Sequence, residues 1–233
     1  MRLRVVVYNV KAFRRGVRRV AGVLAEHAPD IALIQECGPR HRLRRFARAL
    51  GMEPVSHHFF LRRSIHEAVL VRPPWRVLAH RLHRFPKDVR LYPRGALLVR
   101  IGRSGHRVWA ASVHLGLKPG VRKRNADELS SVLLGLNGPV LAGGDLNEGP
   151  DGQAASWMSA RLWDAFARAG EGPGETYPAE DPTARIDYLF AGEGVEFDRA
   201  VVLSGPAAAA GSDHLPLLVD LEVGGPPRAE TIG

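Results

Sequence analysis

Carboxylates, amides and imidazoles recur in this chain where packing alone would not put them. Tyr8-Asn9 follow the strand-like run Leu3 to Val7, Gln35-Glu36 follow Ile31 to Ile34, and Ser112-Val113-His114-Leu115 close another such run. Gly143-Gly144-Asp145-Leu146-Asn147 come after Pro139 to Ala142, and Arg185-Ile186-Asp187-Tyr188 and Ser212-Asp213-His214-Leu215-Pro216 stand further on. Strand ends converge on one rim of a sheet, so these groups can share a cleft. One job suits them: holding a hard divalent cation over a phosphate. Magnesium takes oxygen ligands and keeps several waters, so one or two carboxylates suffice while the phosphate supplies the remaining contacts. Glu36 and an aspartate meet that demand. His114 and His214 are candidates for taking a proton from attacking water, because imidazole is the side chain best matched to neutral pH. In-line attack on phosphorus places charge on the non-bridging oxygens, which the ion, an imidazolium and amide donors such as Asn9 and Asn147 offset.

Each motif alone also has a purely structural reading. Asn9 and Glu36 can be strand-end caps, Gly143-Gly144-Asp145 a turn, Asp187 the partner of a nearby arginine, and Ser212-Asp213-His214 a helix N-cap. Order and context favour the joint reading, since each motif follows a strand-like run and all use the same chemical vocabulary.

The elements that must position these residues are short β-branched runs alternating with amphipathic stretches, which argues for a layered α/β domain. Strands are expected at Leu3 to Tyr8, Ile31 to Gln35, Ala68 to Val71, Ala96 to Ile101 and Val108 to His114. Further ones are expected at Val140 to Ala142, Ile186 to Phe190, Ala200 to Leu203 and Leu217 to Val223. Many are short, which favours two mixed sheets over one wound sheet. Phe13, Val17, Val20 and Leu24 fall at helical spacing, Pro39 opens a second helix that Gly51 stops, and a third runs from about Asn125 to Leu136. Gly170 to Asp181 reads as a loop. The reading places one domain at 1–223 and a flexible tail at 224–233.

Composition narrows the function classes. With 233 residues, 45% hydrophobic and 24% charged, the chain is an ordinary globule, neither disordered nor fibrous. A single cysteine, Cys37, excludes an internal disulfide and an all-thiolate metal site, and beside Glu36 it reads as a buried packing thiol. No secretory signal follows Met1 and no apolar run is long enough for a membrane span, so a cytoplasmic monomer without stable membrane association is expected. Thirty-three Lys plus Arg against 24 Asp plus Glu leave +9, a field that attracts polyanions. The excess is mostly arginine, alongside abundant Ala, Gly and Pro, a bias that genome composition also produces.

Taken in order, Tyr8-Asn9, Gln35-Glu36, Ser112 to Leu115, Gly144-Asp145-Leu146-Asn147, Arg185 to Tyr188 and Ser212 to Pro216 make the chain resemble the endonuclease/exonuclease/phosphatase superfamily. The resemblance implies a deoxyribonuclease-I-like four-layer α/β sandwich, two mixed β-sheets packed face to face with helices on both outer sides, and a magnesium-dependent phosphoesterase in which Mn2+ can substitute. Carried over by motif, Glu36 would bind the metal with Asn9 and Asp213 beside it. Asp145 and Asn147 would position the nucleophile and phosphate, and His214 would act as base or phosphate-stabilising acid, oriented by Asp187. His114 would be a second histidine, with Glu67, just ahead of Ala68 to Val71, as its partner. Arg94, ahead of Gly95, sits where relatives have a phosphate-facing arginine, and a rim salt bridge is the competing reading. Thr183-Ala184-Arg185-Ile186-Asp187 departs from the motif of the inositol phosphatase branch and disfavours it.

The positive charge turns this reading toward a nuclease acting on DNA or RNA, with Arg122, Lys123 and Arg124 as the basic cluster expected nearest the cleft. A phosphomonoesterase, or a phosphodiesterase of small molecules or lipids, is the alternative within the superfamily. A catalytically dead nucleic-acid-binding module is the alternative from another class. The clustered acids speak against it, because binding alone needs cations and aromatics.

Overall fold

Val5 to Asn9 and Ile31 to Gln35 are buried on both faces, which requires strands with a layer above and a layer below. The computed structural model, which describes residues 1–57, 65–86 and 93–224, supplies both layers. The expected tail from 225 onward lies outside the described residues. Strands are β1 (Arg2–Asn9), β2 (Ile31–Gln35), β3 (Glu53–Ser56), β4 (Ala68–Val71), β5 (Arg76–Arg84), β6 (Gly95–Arg103) and β7 (His106–His114). They continue with β8 (Val140–Asp145), β9 (Trp163–Asp164), β10 (Gly170–Glu171), β11 (Asp187–Ala191), β12 (Val195–Val202) and β13 (Leu217–Val223). A seven-stranded sheet runs β10-β12-β13-β1-β2-β4-β3 and a six-stranded sheet runs β5-β6-β7-β8-β11-β9. Both are mixed: β1 and β2 are parallel, as are β7 and β8, while β1 with β13 and β8 with β11 are antiparallel.

Val7 and Leu33 of the first sheet face Leu97, Val99, Leu141 and Leu189 of the second in one buried cluster. On the outside of the first sheet lie α1 (Val17–Ala25) and α2 (Arg40–Ala49), burying Val20, Leu24, Leu43 and Phe46. On the outside of the second, α3 (Pro119–Leu134) and α4 (Gln153–Ser159) cover Leu98, Ala111, Ala142 and Phe190 with Leu129, Leu133 and Met158. These are the four layers of the expected sandwich. Two short helices, α5 (Ala165–Ala169) and α6 (Pro206–Ala209), complete the chain.

The elements differ from the sequence reading where periodicity is a poor guide. Phe13 fits the helical stripe of α1 yet precedes it, because Lys11, Ala12 and Phe13 take positive φ and Gly16, at φ 101°, separates them from the helix. Phe13 is buried all the same, against Phe46 at 5.1 Å. β5 escapes the hydrophobic pattern because it is an edge strand, and its residues Arg76 to Arg84 are exposed or half-buried. Helix α3 begins at Pro119, suited to a first turn by its fixed φ, and so includes the basic stretch ahead of Asn125. Ser212-Asp213-His214 caps no helix; it leads into β13.

Candidate active site

Strand register does most of the positioning. In the second sheet Gly95 pairs with His114, His114 with Asp145, and Asp145 with Asp187, so Arg94, His114, Asp145 and Asp187 stand side by side at one end. In the first sheet Asn9 pairs with Gln35 at the corresponding end, Glu67 immediately precedes β4, and Asp213-His214 lie in the turn before β13. Side chains stitch the two rows together. Asn9 Nδ2 donates to Asp145 Oδ2 at 3.0 Å, and Gln35 Nε2 donates to Ser112 Oγ at 3.0 Å, which in turn donates to the Ile34 carbonyl at 2.9 Å.

The glycines of Gly143-Gly144-Asp145 permit this approach. A Cβ on Gly143 would lie 2.6 Å from Val7 Cγ2 and 2.9 Å from Leu33 Cδ1, across the gap between the sheets. One on Gly144 would lie 1.8 Å from the Val113 carbonyl oxygen, inside the neighbouring strand. The motif is therefore a packing requirement that delivers Asp145 to the junction.

Asp145 is the hub. Its Oδ2 also faces His114 Nε2 at 3.2 Å and His214 Nε2 at 3.7 Å, and its Oδ1 accepts the Asn147 N–H at 2.8 Å. Burial works to raise the pKa of this carboxyl, but the imidazoles of His114 and His214 and the Asn147 amide outweigh it and hold it well below the usual carboxylate range. Asn147 reaches this place with φ 56° and spends its side-chain amide on the Leu115 carbonyl at 3.1 Å.

His214 is oriented from behind. Its Nδ1 donates to Asp187 Oδ2 at 2.8 Å, which leaves Nε2 toward Asp145. Burial alone would lower its basicity; the carboxylates of Asp187, Asp145 and Asp213 reverse that and raise the imidazole from 6.5 to about 9. Asp187 is fixed by Thr176, whose Oγ1 accepts the N–H groups of Ile186 and Asp187, both at 3.2 Å. Asp145, Asp187 and His214 each present an atom within 4.8 Å of the others.

His114 has a different neighbour from the one the resemblance implies. Arg94 Nη1 lies 2.7 Å from its Nδ1. A guanidinium only donates, so Nδ1 accepts and the ring proton sits on Nε2, aimed at Asp145. Arg94 thus holds the histidine, the place expected for Glu67. Glu67 is buried, and its Oε2 has no hydrogen-bond partner among the described residues. Burial pushes its carboxyl up to about 8, partly opposed by Arg94 and reinforced by the adjacent charge of Glu36. Glu36 is half-buried, with φ 50°.

The remaining expected residues occupy the rim. Asp213 accepts a hydrogen bond from Lys11 Nζ and lies 3.3 Å from Ser212 Oγ. Arg122 Nε donates to Glu148 Oε2 at 2.7 Å with little exposure on either side, tying α3 to the segment after Asn147, whereas Lys123 and Arg124 are exposed on α3. Three residues of the site carried no sequence signal. Thr176 and Lys11 make contacts that only the fold creates, and the ring of Tyr177, half-exposed, lies 5.0 Å from that of His214.

A family model described as Endonuclease/Exonuclease/phosphatase family matches residues 6–214. No curated protein matches the chain. Among solved structures, an endonuclease/exonuclease/phosphatase from Bacteroides vulgatus superposes with a TM-score of 0.82 at 19% identity, over 96% of this chain and 99% of that one. A mannosyl-6-phosphatase from Bacteroides thetaiotaomicron gives 0.79 at 20%, covering 94% and 99%. TDP2 of D. rerio, complexed with a single-strand DNA product, gives 0.75 at 18%, covering 95% and 99%. Likeness at these identities speaks for the fold.

Proposed function

Because the chain belongs to the endonuclease/exonuclease/phosphatase family, whose members hydrolyse phosphoester bonds, we propose that it is a divalent-metal-dependent phosphodiesterase that cleaves nucleic acid. The observation that carries this reading is the linked set Asp187, His214, Asp145 and His114 at the junction of the two sheets. A buried carboxylate behind an imidazole, with a second carboxylate in front of it, is an arrangement for moving a proton at Nε2. Asp145 accepts from the attacking water and holds it in line, and His214, its Nδ1–H fixed by Asp187, takes or returns the proton. Positive charge on His214 offsets the charge that develops on the phosphate oxygens, while His114 and Asn9 hold Asp145 in place.

The donor set fits a hard cation. The charge of Glu36 is felt at the Glu67 carboxyl, and the buried Oε2 of Glu67 and Oδ1 of Asp187 have no hydrogen-bond partner among the described residues. Glu36 is the residue to hold magnesium or manganese, with Asn9 and Asp213 beside it; Asp187 is hydrogen-bonded to His214, which faces Asp145 at 3.7 Å, and these three serve the proton. A bound divalent ion supplies Lewis-acid stabilisation of phosphate charge. The net charge of +9 supports a polyanionic substrate. A second reading, phosphomonoester hydrolysis, is favoured by the similarity to the mannosyl-6-phosphatase.

A substrate panel decides between them: plasmid DNA, single-stranded DNA, RNA, a chromogenic phosphodiester and a sugar 6-phosphate, each with Mg2+, Mn2+ or EDTA. Metal-dependent cleavage of the nucleic acids, abolished by EDTA, is expected. Turnover of the sugar phosphate alone would establish the second reading, and binding of DNA without any turnover would make the chain a binding module.

A further inference from the structure

Three consecutive residues without a glycine among them, Lys11, Ala12 and Phe13, take φ of 41°, 53° and 54°. L residues rarely adopt that region, and such a run persists only when its surroundings over-determine it. Here they do. The Lys11 N–H donates to Asn9 Oδ1 at 3.1 Å, the Ala12 N–H donates to the Glu36 carbonyl at 2.7 Å, and Arg42 Nη1 donates to the Ala12 carbonyl at 3.0 Å. Gly38 lies directly under Ala12, where a Cβ would come within 2.9 Å of its Cα and Cβ. Phe13 is locked against Phe46. The strained turn is thus built onto the side chain of Asn9 and the backbone of Glu36, and its product is the position of one group, the Lys11 ammonium on Asp213 Oδ2.

The pair is not a sealed core contact. The Lys11 side chain is 41% exposed and that of Asp213 is 18% exposed. An ammonium carries three donors on a flexible stem, so one spent on Asp213, the residue before His214, leaves two for a further anionic partner. We infer that Lys11 is a substrate-binding residue whose ammonium bridges Asp213 to the non-bridging oxygens of the scissile phosphate. This inference rests on the phosphoesterase reading and adds to it a built-in cation, independent of any divalent ion.

The test separates the two. In EDTA, inorganic phosphate is titrated into the full chain by calorimetry, and the wild type is compared with Lys11→Met, Lys11→Gln and Lys11→Arg. Loss of a charge-assisted contact weakens phosphate binding by about tenfold in the Met and Gln variants, and Arg restores most of it. Wild-type affinity in either folded neutral variant overturns the inference and reduces the pair to a structural contact. Failure of the wild type to bind phosphate in EDTA, while the metal-loaded protein hydrolyses a phosphodiester, likewise overturns it and leaves the proposed function intact. Neither phosphate binding nor hydrolysis of any phosphoester would sink the functional reading and Lys11 with it.

Discussion

Asp145 Oδ2 accepts from Asn9 and faces two imidazoles, while Asp187 holds the second of those imidazoles from behind, so the residues of the cleft divide into those that touch the reaction and those that aim them. His214→Ala removes the proton carrier and is expected to lower kcat by roughly 10²- to 10⁴-fold on a chromogenic phosphodiester. Asp187→Asn keeps the shape but loses the carboxylate that sustains the raised basicity of His214, so its imidazole titration, followed by NMR, should fall back from about 9 toward 6.5. An unmoved titration would mean that Asp187 does not act through His214. Stability carries the same signature. His214 and Glu67 both bind their protons more tightly in the folded chain, from 6.5 to about 9 and from 4.5 to about 8. Their contributions are whole below the unfolded values and are lost as pH rises through the folded ones, so the metal-free protein should weaken steadily between about pH 5 and pH 9. Denaturant titrations across that range check the sign, and Glu67→Gln should flatten the lower half of the curve. A wild type that gained stability over the window would contradict both assignments.

Elements carry these residues only because particular backbones come unusually close. Gly144→Ala drives a Cβ into the Val113 carbonyl and breaks the β7–β8 pairing that sets His114 beside Asp145. It is expected to cost several kcal/mol and to leave little folded protein by circular dichroism. Ala12→Gly works the other way, relieving one positive-φ alanine, and should leave the midpoint of unfolding unchanged or raised by an amount corresponding to about 0.5–1 kcal/mol. At this scale the sequence is most informative about central strands. Val5 to Val7, Ile31 to Ile34 and Val108 to His114 announce themselves because burial on both faces demands unbroken apolar runs, and the motifs at their ends follow from that. What stays hidden are features whose cause is elsewhere in the fold. The edge strand β5 has no core face to pattern, the left-handed turn at Lys11 to Phe13 is imposed by Glu36, Gly38 and Arg42, and the Arg94–His114 contact exists only because β6 and β7 pair in register. Thr176 sits in a stretch rich in Gly and Pro and becomes a fixed acceptor only once β11 is in place.

For the molecule as a whole, the net charge of +9 is legible in composition, but which cations meet a substrate is decided by the layers. Arg4, Arg15, Arg122 and Arg185 are committed to Asp220, Glu180, Glu148 and Asp164. Arg44 and Arg45 are exposed on α2, which packs over the outer face of the first sheet. Lys123 is exposed on α3, the helix that follows β7 and is tied by Arg122 to the segment after Asn147. If total charge governed binding, removing any two of these cations would act alike; if the rim governs it, position matters. Duplex DNA binding is therefore expected to depend on salt, measured in EDTA so that cleavage does not intervene. Lys123→Ala should lower the slope of log K against log salt by roughly 0.9, the share of one phosphate contact, while the pair Arg44→Ala and Arg45→Ala leaves it unchanged. A slope that falls with the α2 pair and not with Lys123 would place the nucleic acid on α2 over the first sheet and not on α3 over the second, and would remove Lys123 from the binding surface.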